Sequence, residues 1–329
     1  MKAVQFTEYG KPDEVCDCVE VDDIGGPADG EVIIEIMASA INPADLLMIE
    51  GRYPGPTPPA PLGIEGAGRI VEVGYGVESL QAGDHVMSLE RANWAERVRV
   101  AAGRVIKVPG ALSLADAAML KANPPSAHLM LSDYVDLEPS EWVIQNAANS
   151  AVGRHVIRLA QARGLKTVNI VRREPLVSEL EGLGADVVVV DGGDLAKRVR
   201  AKIGKDGAIR LGIDAVGGHA THRLADCLSD GATVVNYGYL SGEPCMLEPS
   251  HTIVRGISLT GFWLVGFMQR STPDEIAAMY ADMANKFIDG TLTVPVEAAY
   301  PITEVKTALA HAMRESRDGK VLILPNGAL

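Results

Sequence analysis

From about residue 120 the chain alternates short apolar runs with helical stretches, and no other feature limits its fold so tightly. Trp142–Asn146, Lys166–Val171, Ala185–Val190, Ala208–Asp214, Ala232–Tyr237 and Ile257–Trp263 read as strands. Between them, Val152–Arg163 (closed by Gly164), a segment starting at Pro175, Leu195–Ile203 and a segment from about His219 read as helices. A further helix runs from about Pro273 to Ile288. Apolar strands joined by helical crossovers predict a parallel sheet covered on both faces. The first hundred residues have a different grain: Glu31–Met37 and Ala67–Val73 read as strands, with Gly83-Asp84 and the Pro54–Pro61 stretch supplying a turn and a loop. Beyond Asp289-Gly290 a strand, a helix and a closing strand, Lys320–Leu324, return to that β-rich character. The simplest architecture is a doubly wound α/β domain over 120–290, inserted into a β-rich domain made of 1–119 and 291–329.

At 329 residues the chain is long enough for each domain to bury its own core. The net charge of −13, with no concentrated basic stripe, excludes nucleic acid as a partner. It also counts against an anionic substrate unless local Arg and Lys reverse the field. No apolar run reaches the length of a bilayer span. Met1–Phe6 reads directly as a strand, with no signal-peptide core, and four cysteines make no disulfide framework. A cytoplasmic protein is expected.

Asn146-Ala-Ala-Asn-Ser-Ala-Val-Gly153 lies between a strand and a helix, where a dinucleotide fingerprint belongs. Of the three glycines of that fingerprint, the first falls on Ala148 and the second on Ser150. Only the third, Gly153, which serves close helix–strand packing, is present. The helix start still offers free N–H groups and a positive dipole end to a pyrophosphate. An ordinary turn capped by polar residues would look the same. The next strand ends in Val171-Arg172-Arg173, placing two cations where an NAD site carries an acid. A guanidinium fork suits a 2′-phosphate, which points to NADPH; a solvated strand end is the alternative.

Four segments together resemble one family. Asn42-Pro-Ala-Asp-Leu-Leu-Met-Ile-Glu-Gly-Arg-Tyr53 is similar to the substrate-side motif of mitochondrial-type 2-enoyl thioester reductases, a zinc-free branch of the medium-chain dehydrogenases/reductases. Val143–Gly153 resembles that branch's cofactor turn, and Asn169-Ile-Val-Arg-Arg173 and Gly261-Phe-Trp-Leu264 follow at the expected places. The resemblance implies a Rossmann domain inserted in a GroES-like catalytic domain. It also implies a catalytic Tyr53, and NADPH contacts from Asn123, Asn149, Ser150, Ala151, Val152, Arg172, Arg173, Tyr237, Gly238, Phe262, Trp263, Leu264 and Lys320. A homodimer is implied too, joined at the sheet edge formed by the Ile257–Trp263 strand. Leu47, Ile64, Ser126, His128 and Val265 depart from the branch's usual residues and bear on the substrate rather than on the fold.

A catalytic zinc needs three protein ligands. Around Glu65 the expected His is Ile64, the early Cys position lies within Asn42–Asp45, and no Cys occurs between Cys18 and Cys227. His219-Ala-Thr-His222 has helical spacing but no third ligand nearby in the chain, so no metal is expected. Reduction of an activated C=C bond needs none. Hydride at the β-carbon leaves an enolate whose charge spreads to the thioester oxygen, which positioned donors can hold while an acid protonates the α-carbon. A phenol with a pKa near ~10 can donate in this way, which suits Tyr53. Trp263 offers an indole N–H, or is a strand-end core residue. Three activities remain open: reduction of enoyl thioesters carried by CoA or an acyl carrier protein, reduction of quinones or enones on the same fold and cofactor, and nucleotide binding without catalysis.

Overall fold

A computed structural model describes residues 1–204 and 207–327. The chain forms two compact units, Asn123–Ser271 and a composite of Met1–Ala122 with Thr272–Leu329.

Asn123–Ser271 is built on a six-stranded parallel sheet. Its order is Val187–Val190, Lys166–Val171, Trp142–Gln145, Ile209–Asp214, Thr233–Asn236 and Ser258–Gly261. The strands run outward in both directions from Trp142–Gln145, so the order reverses between it and Ile209–Asp214. In a doubly wound sheet, ligands bind beyond the carboxyl ends of the strands at such a reversal. The helices Ala151–Ala162, Pro175–Gly182, Leu195–Ile203 and Gly218–Cys227 are the crossovers. Adjacent strand residues serve different faces: Val187 and Val189 join one apolar cluster with Leu195 and Leu224, while Val188 joins another with Ile157 and Leu180. Burial on both faces explains why these strands read as unbroken apolar runs. Gly164, with φ +70°, ends the first crossover helix as expected.

The sheet's outer strand is less apolar than expected. Only Ser258–Gly261 is strand, all four residues are exposed, and Ile257 just before it is the buried one.

The composite unit carries a seven-stranded sheet centred on the ten-residue strand Glu31–Ala40. The closing strand Lys320–Leu324 pairs antiparallel with it at Leu322–Ala40 and Ile323–Ser39, which ties the chain's end to its beginning. A three-stranded sheet of Lys2–Phe6, Cys16–Glu20 and Ala60–Pro61 packs its Phe6 and Cys16 with Trp94, Leu309 and Ile323.

The composite unit also takes the helix Pro273–Ile288, which was expected within a domain ending at 290. Continuity misleads here: the helix follows the last parallel strand but crosses to no other. It buries Ile276, Met279, Tyr280, Met283 and Phe287, and the Tyr280 hydroxyl donates to the Lys121 carbonyl at 2.9 Å. Among the described residues no helix is long and apolar enough to cross a membrane.

Candidate active site

In the parallel-sheet unit, the chain leaves Trp142–Gln145 through Asn146 and turns at Ala147, whose φ is +47°. That left-handed residue makes the tight turn which the first glycine of a dinucleotide fingerprint would ordinarily make, at a cost of order 1–3 kcal/mol. Ser150 then caps the helix, its hydroxyl accepting from the Gly153 N–H at 3.1 Å. The N–H groups of Ala151 and Val152 have no protein acceptor among the described residues, so the helix start can bind an anion. The Val152 side chain is buried, so its backbone is what it can offer. Gly153 is required: a Cβ there would meet the Ala148 carbonyl oxygen at 2.5 Å.

The neighbouring strand ends converge on the same edge of the sheet. Arg172 is exposed and Arg173 half-buried after Lys166–Val171, and neither guanidinium has a partner among the described residues. Tyr237 follows Thr233–Asn236; its hydroxyl meets Ser150, and burial pushes its pKa up. A Cβ on Gly238 would strike the Ala215 carbonyl at 2.5 Å, so this stretch also runs close to its neighbour. Asn236 pairs with Gly261 in register, which sets Phe262–Leu264 at this edge as well. Trp263 is 49% exposed, which excludes the core-residue alternative. Phe262 and Leu264 are half-buried beside it, and Asn123 opens the helix Asn123–Ser132.

In the composite unit, Tyr53 stands just beyond the helix Pro43–Ile49. Asn42 and Asp45 form a capping box at that helix's start, and Gly51, with φ +72°, turns the chain at its end. Tyr53 is half-buried, and its hydroxyl has no hydrogen-bond partner among the described residues.

The start of the helix rests on a buried polar cluster. Asn42 Nδ2 donates to Glu65 Oε1 at 2.6 Å, and the Ala122 N–H donates to Glu65 Oε2 at 2.9 Å. Asp45 accepts from the Asn42 and Ile64 N–H groups at 2.9 and 3.0 Å. Burial nonetheless pushes its carboxyl up to about 7, outweighing those two bonds. Lys320, expected to contact the cofactor, is buried with its ammonium on Asn42 Oδ1, and burial lowers its pKa. Lys121 donates to the carbonyls of Ile64 and Glu90 at 2.6 and 2.7 Å, and burial brings it down to about 8.

These residues do not fit a zinc ion. The oxygens of Asp45 and Glu65 are engaged by N–H donors, Ile64 offers no ligand, and an ammonium already sits on Asn42.

Elsewhere, the reading that His222 has no third ligand nearby is corrected. Asp226, one turn on, and His251 bring their ligand atoms within 4.8 Å of His222 and of one another, while His219 stays outside the group. Folding supplies His251 from a segment distant in sequence, which spacing could not show. The hydrogen bonds nevertheless give it another role. The Glu248 N–H donates to His251 Nδ1 at 3.1 Å, which leaves the ring proton on Nε2, facing Asp226 at 2.8 Å. A metal would need that nitrogen as an acceptor.

Residues 28–110 match the model of the alcohol dehydrogenase GroES-like domain, and residues 151–283 match that of the zinc-binding dehydrogenase family. The chain is 33% identical over 323 residues to the mitochondrial enoyl-[acyl-carrier-protein] reductase of Rattus norvegicus, covering 95% of this chain and 86% of that protein. Among solved structures it resembles the quinone oxidoreductase of Escherichia coli complexed with NADPH, with a TM-score of 0.90, 25% identity and coverage of 99% and 100%. It also resembles the Etr1p/NADP/crotonyl-CoA complex, Etr1p being part of a mitochondrial 2-enoyl thioester reductase heterodimer from Candida tropicalis. There the TM-score is 0.86, with 26% identity and coverage of 98% and 99%.

Proposed function

The chain belongs to the medium-chain dehydrogenase/reductase family, in its enoyl thioester reductase type, and from that premise we propose that it reduces the C=C bond of trans-2-enoyl thioesters with NADPH. Kinship with enoyl-[acyl-carrier-protein] reductases along nearly the whole chain carries the reading. The residues present fit the cofactor. The free Ala151 and Val152 N–H groups would hold a pyrophosphate, the two arginines without a partner among the described residues suit a 2′-phosphate, and the backbone packs too closely at Gly153 and Gly238 to admit a side chain.

When bound, NADPH supplies a hydride, which goes to the β-carbon. Charge then develops on the thioester oxygen, and a preplaced donor stabilises it without reorganisation. Tyr53 is that donor or the acid that protonates the α-carbon. Its hydroxyl has no competing partner among the described residues, and the helix before it is anchored by the Asn42–Asp45–Glu65–Lys320 cluster. The reaction runs without zinc, because the polar groups near Glu65 are committed to one another.

A second reading, reduction of quinones or enones, is favoured by the TM-score of 0.90 to the E. coli quinone oxidoreductase. We also propose a homodimer through the exposed edge strand Ser258–Gly261, since an open edge invites pairing. Following NADPH oxidation with crotonyl-CoA, with a quinone and with a simple enone separates the two activities. Turnover of crotonyl-CoA supports the first reading; turnover of quinones or enones alone replaces it with the second.

A further inference from the structure

The carboxyl group of Asp214, at the end of the strand Ile209–Asp214, is fully buried and gathers donors from several parts of its unit. On Oδ1 it accepts from Asn146 Nδ2 at 2.6 Å, the Val216 N–H at 2.9 Å and the Gly217 N–H at 3.1 Å. On Oδ2 it accepts from Thr221 Oγ1 at 2.6 Å and Asn236 Nδ2 at 3.1 Å, with Cys245 Sγ at 3.8 Å. Its backbone carbonyl accepts from the Tyr237 N–H at 2.9 Å, and the Ala215 N–H returns a bond to Asn146 Oδ1 at 2.8 Å.

Two of these ties reach the segments that the cofactor reading uses. Asn146 begins the turn that leads to Ser150 and the helix N–H groups. Asn236 precedes Tyr237 and Gly238, and its Nδ2 also donates to the Gly238 carbonyl at 3.1 Å. The two segments lie on strands separated by Ile209–Asp214, so they share no ladder hydrogen bonds. Asp214 joins them from the strand between. The Tyr237 hydroxyl on Ser150 closes the loop from the other side.

We infer that Asp214 is a positioning residue that sets the distance between the 146–152 turn and the Tyr237–Gly238 strand end, and so the width of the NADPH cradle. The inference rests on the NADPH reading. It adds that a residue out of reach of bound NADPH governs its affinity, because it fixes backbone groups that must meet the cofactor without reorganising. A carboxylate suits the post: it has about four lone-pair sites and no proton of its own to place. An asparagine of the same size would turn an NH2 toward donors.

The full chain is titrated with NADPH by fluorescence and assayed for crotonyl-CoA reduction. In Asp214→Asn, Kd and KM for NADPH rise roughly tenfold to a hundredfold, as expected for one or two lost hydrogen bonds to a charged group. At saturating NADPH, kcat and the crotonyl-CoA KM stay within about twofold. Thr221→Val cuts a bond to the same carboxyl but touches neither segment; it lowers the melting temperature and leaves NADPH binding at the parent level. If Asp214→Asn does not fold, Asn236→Ala, which removes the tie to Gly238, must raise the NADPH Kd by about threefold or more. Parent-like affinity in the folded variant, or an equal loss in Thr221→Val, overturns the proposal and leaves Asp214 a general stabiliser. A parent protein that does not bind NADPH sinks the cofactor reading instead, before any variant is compared.

Discussion

In the parallel-sheet unit the buried carboxyl of Asp214 is met by amides, a hydroxyl, a thiol and backbone N–H groups, whereas in the composite unit Asp45 and Glu65 share their buried site with the ammonium groups of Lys121 and Lys320. None of the donors around Asp214 carries a formal charge, so that hub is held by hydrogen bonds rather than by ion pairs. The second hub holds charges whose burial is costly, and it anchors the helix leading to Tyr53. On the proposed reading the difference divides the labour: one unit supplies a cradle for the cofactor, the other a charged mount for the Tyr53 phenol.

The largest effect is expected at Tyr53. Tyr53→Phe should cost about 10²–10³ in kcat for crotonyl-CoA, the usual loss for a transition-state donor, with thermal stability nearly unchanged. A parent-like rate would remove the phenol from the mechanism. On the cradle side, replacing Arg172 and Arg173 by alanine should weaken NADPH binding by about 10–100-fold, in line with loss of charge-assisted bonds to a phosphate. NADH binding should hardly move; equal losses for both cofactors would show that the arginines do not read the 2′-phosphate.

A smaller effect tests the charged mount. The folded-state pKa of Asp45 lies near 7, above its ordinary 3.8, so the folded protein binds the extra proton and stability is lost as pH rises from about 4 to 7. Lys121, brought down to about 8 from 10.5, adds the mirror image, with stability regained as pH rises from about 8 to 10.5. Asp45→Asn lacks the first slope. The melting-temperature gap between parent and variant should therefore narrow between pH 4.5 and 7.5, by about 2–4 °C for each kcal/mol lost. A gap that stays constant or widens contradicts the assignment. The smallest effect is none: treatment with a chelator should leave activity at the parent level, and activity that returns only on zinc addition would reverse the metal reading.

The cradle was far more legible in the sequence than the mount. Strands buried on both faces write themselves as apolar runs, and Gly153 stands alone because backbone lies 2.5 Å from where its Cβ would be. Ala148 and Ser150 made the fingerprint look degraded, since the positive φ had passed to Ala147, a residue with no signature for it. The mount is assembled from far-apart positions: Asn42 meets Glu65 23 residues on and Lys320 278 residues on. Spacing carries no trace of such contacts. The burial of Lys320 against Asn42 is one such contact. His251 is invisible in the sequence as a neighbour of His222 for the same reason, and alternation records order along the chain rather than the partner on which the helix Pro273–Ile288 packs.

The division of labour is tested most directly by combining Tyr53→Phe with the Arg172→Ala and Arg173→Ala pair and measuring NADPH affinity and crotonyl-CoA kcat on the parent, each part and the combination. Tyr53→Phe should lower kcat by the same factor in both backgrounds and leave NADPH affinity alone. The arginine pair should shift NADPH affinity equally in both backgrounds and leave kcat at saturating NADPH alone. A Tyr53→Phe variant that loses NADPH affinity as heavily as the arginine pair, or that keeps the parent kcat, would contradict the account.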